Sequence, residues 1–377
     1  MPPAPPPLAH DELPPADLRT LTRAARASAD GRTVALVFAT SDFTELVLNW
    51  CAFALRAGVR WFVVVALDVP LHAALSSRGE GHVLLLPRVR RAGAPPSKLA
   101  VIGERQRFGV RVLEAGLAVL HSDADALWLR DPTRLLGGAE LVAERVWGKP
   151  RSAVQAWGAA ACTGFYFVRP AAVGIAQQVE AAIRRKQASS PGWQASDQYW
   201  LNLVLQQSGA TWEARMPAMD DMQARIFNHT PTRGVLVTPS GAVLRLVMLA
   251  HPTVARACPV ISPASVAMLA RGERLTAPGK ARLWQALLDH SVVLHCFPPG
   301  GEARAGERRT VFMGHPKHTA AELAFQRRQG LWLLRSDWRQ LRVAGEGDEA
   351  RSKRRRGSFL RWVGQITNET VRGIPKG

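Results

Sequence analysis

A chain of 377 residues has room for one large domain or two of ordinary size, and in either case for a substantial core. Hydrophobic residues at 47% and charged residues at 21% exclude wholesale disorder, a collagen-like repeat and a disulfide scaffold. The 49 Lys+Arg against 30 Asp+Glu leave a net charge of +19, an excess mostly of guanidinium, which favours phosphate-bearing substrates, polyanions or anionic membrane faces.

Up to about residue 18 the chain is Pro-rich and reads as extended. Residues 33–40, TVALVFAT, are a β-rich apolar run. A helical pattern over 42–57 follows, with Phe43, Leu46, Leu48 and Trp50 among its apolar positions and Gly58 as its stop. A second apolar strand over 61–67 completes a βαβ unit with a parallel pair. The next strand is 82–86, and 97–116 reads as a long helix ending at Gly116. Directly after it, 117–120 is an apolar strand that runs into His121-Ser122-Asp123-Ala124-Asp125. Strands over 141–146 and 163–168 and helices over 171–187 and 196–207 continue the alternation of an α/β sandwich. A hairpin joins 235–238 to 243–248 through Pro239-Ser240-Gly241. Residues 281–290 read as a helix and 292–294 as a buried strand leading into His295. Past residue 341 the composition turns to Gly and charge, with the basic run 351–356 in a mobile tail. This gives three parts: a Pro-rich extension over 1–29, one α/β domain over 30–320, and a C-terminal helix with the basic tail over 321–377.

Cys51, Cys162, Cys258 and Cys296 have no zinc-site spacing, and disulfides and reduced buried thiols both remain open. The apolar stretch at 61–67 meets Asp68 and Pro70 far short of the roughly 18–20 residues that cross a bilayer. The Pro-rich start lacks the basic and apolar regions of a signal peptide, so a cytoplasmic location is open. The sequons at Asn228 and Asn368 matter only in a secretory lumen.

The chemistry concentrates at Asp123 and Asp125, placed at the C-terminal mouth of an apolar strand, where open α/β sheets hold ligands. Alternation along a strand points both carboxylates the same way. Two such groups repel unless a cation lies between them, and Mg²⁺ or Mn²⁺ accepts carboxylates while keeping positions for phosphate oxygens. The same D-x-D is also compatible with a turn or a helix cap.

The stretch VLHSDADALWLRDP, residues 119–132, resembles the central signature of the nucleotide-diphospho-sugar transferases of the plant and algal type, which include rhamnogalacturonan xylosyltransferases and extensin arabinosyltransferases. Upstream, LNWCAFALRAGV followed by FVVVALD resembles the opening of that family. Downstream, Thr163 to Val168 resembles its N-T-G-x-x-x-V, with Cys162 where Asn is common. Asp197-Gln198 with Asn202 resembles its D-Q-x-x-x-N, and Phe227-Asn228 its F-x-x-G without the Gly. The resemblance spans about 33–318. It implies a GT-A-like, Rossmann-like mixed sheet flanked by helices, and a metal-dependent, retaining glycosyltransferase that uses a UDP-sugar, Mn²⁺ or Mg²⁺ and a glycan or glycoprotein acceptor. The Golgi lumen is the location it implies.

Carried over residue by residue, Asp123 and Asp125 are metal and diphosphate contacts, with Ala124 between them and Asp68 near the nucleotide. His295 completes the metal shell, and otherwise is a hydrogen-bonded core histidine. Asp197 and Gln198 lie beside the anomeric carbon, although Ser196-Asp197 also reads as a helix N-cap. Gly164 admits backbone close to the donor sugar, or marks a strand bulge. Lys317 reaches the diphosphate, or is a solvated surface lysine. Lys98, Arg105 and Arg107, on the helix before the aspartate strand, read as a solvated basic face, with one of them facing the diphosphate as the alternative. A catalytically inactive sugar-nucleotide or polyanion-binding relative is the alternative, with the basic tail making a weak membrane-surface or polyanion contact. No interleaved aromatics point to sequence-specific nucleic-acid binding.

Overall fold

The computed structural model describes residues 12–76, 82–86, 98–146, 150–189, 196–216, 230–250, 253–255, 291–295 and 326–327. The expected helix over 281–290, the basic tail, Lys317, Phe227, Asn228, Asn368, Cys258 and Cys296 lie outside these residues.

In chain order the strands and helices are α1 (Pro15–Ala25), β1 (Thr33–Ala39), α2 (Thr44–Arg56), β2 (Phe62–Ala66), α3 (Val69–Ser76), β3 (Val83–Leu85), α4 (Lys98–Glu114), β4 (Ala118–Ser122), β5 (Ala126–Trp128), β6 (Leu141–Val146), α5 (Arg151–Trp157), β7 (Ala160–Val168), α6 (Val173–Ser189), α7 (Asp197–Gln207), β8 (Thr211–Trp212), β9 (Thr232–Val237), β10 (Val243–Leu249), β11 (Val254–Ala255) and β12 (Val293–His295). The extended N-terminal stretch ends sooner than its prolines indicate. Pro15 occupies the first turn of α1, where a missing N–H costs nothing, and Leu21, Ala24 and Ala25 are buried.

The main sheet runs β3-β2-β1-β4-β7-β6-β10-β9-β8. Its first four strands are parallel, whereas β7 is antiparallel to both β4 and β6. Alternate residues feed two apolar layers. Val34 and Leu36 face the side covered by α1, α4, α6 and α7, while Ala35 and Val37 face α2 and a small sheet of β11, β12 and β5. The second layer holds an aromatic cluster in which Trp50 lies edge-on to Trp128 at 4.9 Å and to Phe62 at 5.3 Å. Both indoles donate to the Ser122 hydroxyl, Trp50 Nε1 at 3.1 Å and Trp128 Nε1 at 3.2 Å.

From β1 the chain passes to β2 on one side, and β4 pairs on the other, so the C-terminal ends of β1 and β4 flank a reversal of strand order. Such a crevice is where open α/β sheets bind ligands. The mixed α/β architecture with helices on its sheet faces is the one expected. Among the described residues no helix is long and apolar enough to cross a membrane. Cys51 and Cys162 are both buried, and burial pushes the Cys51 thiol up.

Candidate active site

The carboxylates of Asp123 and Asp125 converge for a different reason from strand alternation. Strand β4 ends at Ser122, and a tight turn closes with Ala126 N donating to Asp123 O at 3.0 Å. Asp123 N in turn donates to Gly164 O of β7 at 2.7 Å. After the turn, β5 pairs antiparallel with β12, and the register sets His295 opposite Ala126. That pairing brings His295 to the aspartates: its Nε2 lies 3.3 Å from Asp125 Oδ1 and 3.9 Å from Asp123 Oδ2. Ala124, half-buried, packs on the apolar cluster between the two aspartates.

One ligand atom each from Asp123, Asp125 and His295 fall within 4.8 Å of one another, as a single ion requires. Two carboxylates and an imidazole are a hard-to-borderline donor set, which suits Mn²⁺ and, less well, Mg²⁺. The residues therefore fit the expected metal.

Around this turn lies a shell of charge that the sequence reading missed or misplaced. Arg105 of α4 is a largely enclosed side chain, only 13% exposed, and not part of a solvated face. Its guanidinium donates to Asp123 Oδ1 at 3.1 Å and to Asp197 Oδ2. The signal in the sequence was helical phase: Arg105 falls beside Gln106 and Phe108, which α4 turns inward. His121 Nε2 lies 3.1 Å from Asp123 Oδ1. Burial opposes the ionised Asp123 carboxyl, but the hydrogen bond from His121 and the charges of Arg105, His121 and His295 outweigh it and hold the group below the usual carboxylate range. His121 is pushed down to about 4 by burial and by the Arg105 charge. The site therefore presents an ionised aspartate and a neutral imidazole at neutral pH.

Asp197 starts α7 and is buried. Its Oδ2 accepts from Arg105 and from Gln106 Nε2 at 3.1 Å, and its Oδ1 from Thr163 Oγ1 and from Gln198 N, each at 2.9 Å. The carboxylate thus ties α4, α7 and β7 together, and Arg105 links it to Asp123. Asn202, one turn later, clamps Ala161 of β7 through both its amide atoms, at 2.8 Å each, which accounts for the D-Q-x-x-x-N spacing. Gln198 gives its backbone N–H to Asp197, and its carbonyl accepts from Asn202 Nδ2 at 2.7 Å.

Gly164 sits in a bulge. The β6–β7 pairing jumps from Ala143 opposite Tyr166 to Glu144 opposite Cys162, which leaves Thr163, Gly164 and Phe165 outside the ladder. A Cβ at Gly164 would lie 2.1 Å from His295 Cε1 and 3.0 Å from Asp123 Oδ2. Its lack of a side chain makes room for the histidine. Asp68 is on the same sheet edge, at the end of β2, but is engaged locally: Oδ2 accepts from Ser41 N at 2.9 Å and Oδ1 from Leu71 N at 2.9 Å, anchoring the start of α3.

The sequence model of the nucleotide-diphospho-sugar transferase family matches residues 57–241, which include the aspartate turn, Gly164 and Asp197. Over those residues the chain is similar to the nucleotide-diphospho-sugar transferases, the family to which the motifs pointed. No curated protein matches the chain. Similar solved structures include the glycosyltransferase GlyE of Streptococcus pneumoniae TIGR4, at 15% identity over 52% of this chain and 47% of that one, TM-score 0.32. The bifunctional glycosyltransferase WbbM in its apo form matches at 10% identity over 70% of this chain and 45% of that one, TM-score 0.39. The galactosyltransferase LgtC, in complex with donor and acceptor sugar analogues, matches at 13% identity over 81% of this chain and 99% of that one, TM-score 0.38. The chain spans about half the length of the GlyE and WbbM structures.

Proposed function

We propose that this chain is a metal-dependent, retaining glycosyltransferase that moves a sugar from a UDP-sugar donor to a glycan or glycoprotein acceptor. The observation that carries the reading is the meeting of Asp123, Asp125 and His295 from two sheets, at the strand-order reversal, within single-ion reach. Breaking a sugar–diphosphate bond puts negative charge on the departing phosphate, and a bound divalent cation supplies the neutralising charge. The protein's own groups hold the site for that step. Asp123 and Asp125 present ligand oxygens and His295 presents Nε2, while Arg105 keeps Asp123 ionised. Asp197, braced by Arg105, Gln106 and Thr163, sets α7 against the bulge at Gly164 so that its carboxylate and Gln198 border the sugar position. Lys317 is assigned to the diphosphate on the resemblance, and so is the retaining outcome.

The test is release of UDP from a panel of UDP-galactose, UDP-xylose and UDP-arabinofuranose, with Mn²⁺, with EDTA, and in the double variant Asp123→Ala/Asp125→Ala. Metal-dependent release confined to one sugar and lost in the double variant is the expected result. No release and no Mn²⁺-dependent UDP binding would overturn the reading and favour a polyanion-binding protein, whose affinity falls steeply with salt and ignores divalent metal.

A further inference from the structure

Glu144 is wholly buried on β6, where an ionised carboxylate is costly unless it is paired. It faces His295, 151 residues later in the chain, with Oε2 2.8 Å from the imidazole Nδ1. The jump in pairing between Ala143 and Glu144 makes this meeting possible, because it clears Thr163 to Phe165 from the ladder. Three things then locate the ring: Glu144 at Nδ1, Asp125 at Nε2, and the Cβ-free surface of Gly164 against Cε1.

We propose that Glu144 is a positioning residue for the divalent cation: it holds the His295 proton on Nδ1, so that the Nε2 lone pair faces Asp123 and Asp125. This inference rests on the metal-dependent reading above. A histidine that ligates through one nitrogen gains basicity and a fixed orientation when the other donates to a carboxylate. Cys162 Sγ also lies within 4.8 Å of Glu144 and His295, a grouping that could itself hold an ion. The 2.8 Å hydrogen bond, however, already employs both Oε2 and Nδ1, so these groups support the aspartate site and do not form a second one.

The experiment reads Mn²⁺ affinity from the electron paramagnetic resonance signal of free Mn²⁺, for wild type, Glu144→Gln, Glu144→Leu, Cys162→Ser and Asp125→Asn. In parallel, ¹⁵N NMR of histidine-labelled protein, assigned with His295→Asn, reports the tautomer. Glu144→Gln keeps an acceptor oxygen and the side-chain shape, so it loses about tenfold in affinity, and Glu144→Leu approaches the upper end of about 10–100-fold. Cys162→Ser binds as wild type does, and the His295 signal shows the proton on Nδ1. Wild-type affinity in both Glu144 variants beside a weakened Asp125→Asn overturns this inference alone, as does a proton found on Nε2. A large loss in Cys162→Ser also overturns it, in favour of an ion held by the thiolate. A wild-type protein without Mn²⁺ affinity overturns the metal reading and this inference with it.

Discussion

Replacing Gly164 by Ala tests how tightly the site is packed. The added Cβ would lie 2.1 Å from His295 Cε1 and 2.9 Å from Nδ1. Ordinary carbon contacts begin near ~3.5 Å, so the ring must retreat by roughly 1.4 Å. It has no free direction in which to do so, since Nδ1 is held by Glu144 at 2.8 Å and Nε2 faces Asp125 at 3.3 Å. Overpacking of this kind costs about 1–3 kcal/mol, and the lower chain entropy of Ala in a strand returns about 0.5–1 kcal/mol. The variant should therefore be less stable by up to about 2.5 kcal/mol, with Tm lower by about 2–4 °C for each kcal/mol in a domain of this size. It should also bind Mn²⁺ more weakly, because the displaced ring no longer meets the aspartates. Gly109→Ala is the control: Gly109 lies in α4 with no described atom within 4 Å of its would-be Cβ, and Ala there should stabilise by about 0.5–1 kcal/mol. Chemical denaturation and Mn²⁺ titration of both variants decide the matter. A Gly164→Ala protein as stable as wild type, with unchanged Mn²⁺ affinity, would refute the reasoning.

Ser122→Ala should be costly although a single oxygen is removed. A hydroxyl can accept two hydrogen bonds, and Ser122 accepts both buried indoles, so its loss strands the Trp50 and Trp128 N–H groups and should cost about 2–4 kcal/mol in urea unfolding; a loss under about 1 kcal/mol contradicts this reading. The metal-free protein should lose stability in acid. His121 is held neutral, with its folded value at about 4 against an ordinary 6.5, and burial likewise lowers His82. The unfolded chain therefore binds the extra protons, so the His121 contribution is present above pH 6.5 and is lost as the pH falls toward 4, by roughly 3 kcal/mol at most. Denaturation in EDTA at neutral and acid pH should show this fall, and the double variant His82→Asn/His121→Gln should flatten it; an unchanged slope would show that other groups govern acid stability.

Much of the fold was legible because its elements are local. The runs over 33–40 and 61–67 and the helical patterns that became α2, α4, α6 and α7 carry their own periodicity and stops, and the structure keeps them with small shifts at the ends. The very short strands β5, β8 and β11 escaped, as two or three residues hold no period. Helix α1 was hidden by prolines that belong to its first turn.

The site divides in the same way. Asp123 and Asp125 could be read from the chain, because a pair of acids at the mouth of an apolar strand is a pattern within five residues. Asp197, Gln198 and His295 came with the resemblance, and the structure adds what each one touches. Glu144 lay in a strand with no motif around it, and Arg105 looked like one charge among several on a basic helix. Their placement depends on the β6–β7 bulge, on the β5–β12 register that sets His295 opposite Ala126, and on the packing of α4 against α6, all contacts between distant parts of the chain. Local residue preferences select strands, helices and a turn of acids. Only the burial of those elements against one another decides which charges must face each other, since a carboxylate or guanidinium taken from water persists only where the fold supplies its partner.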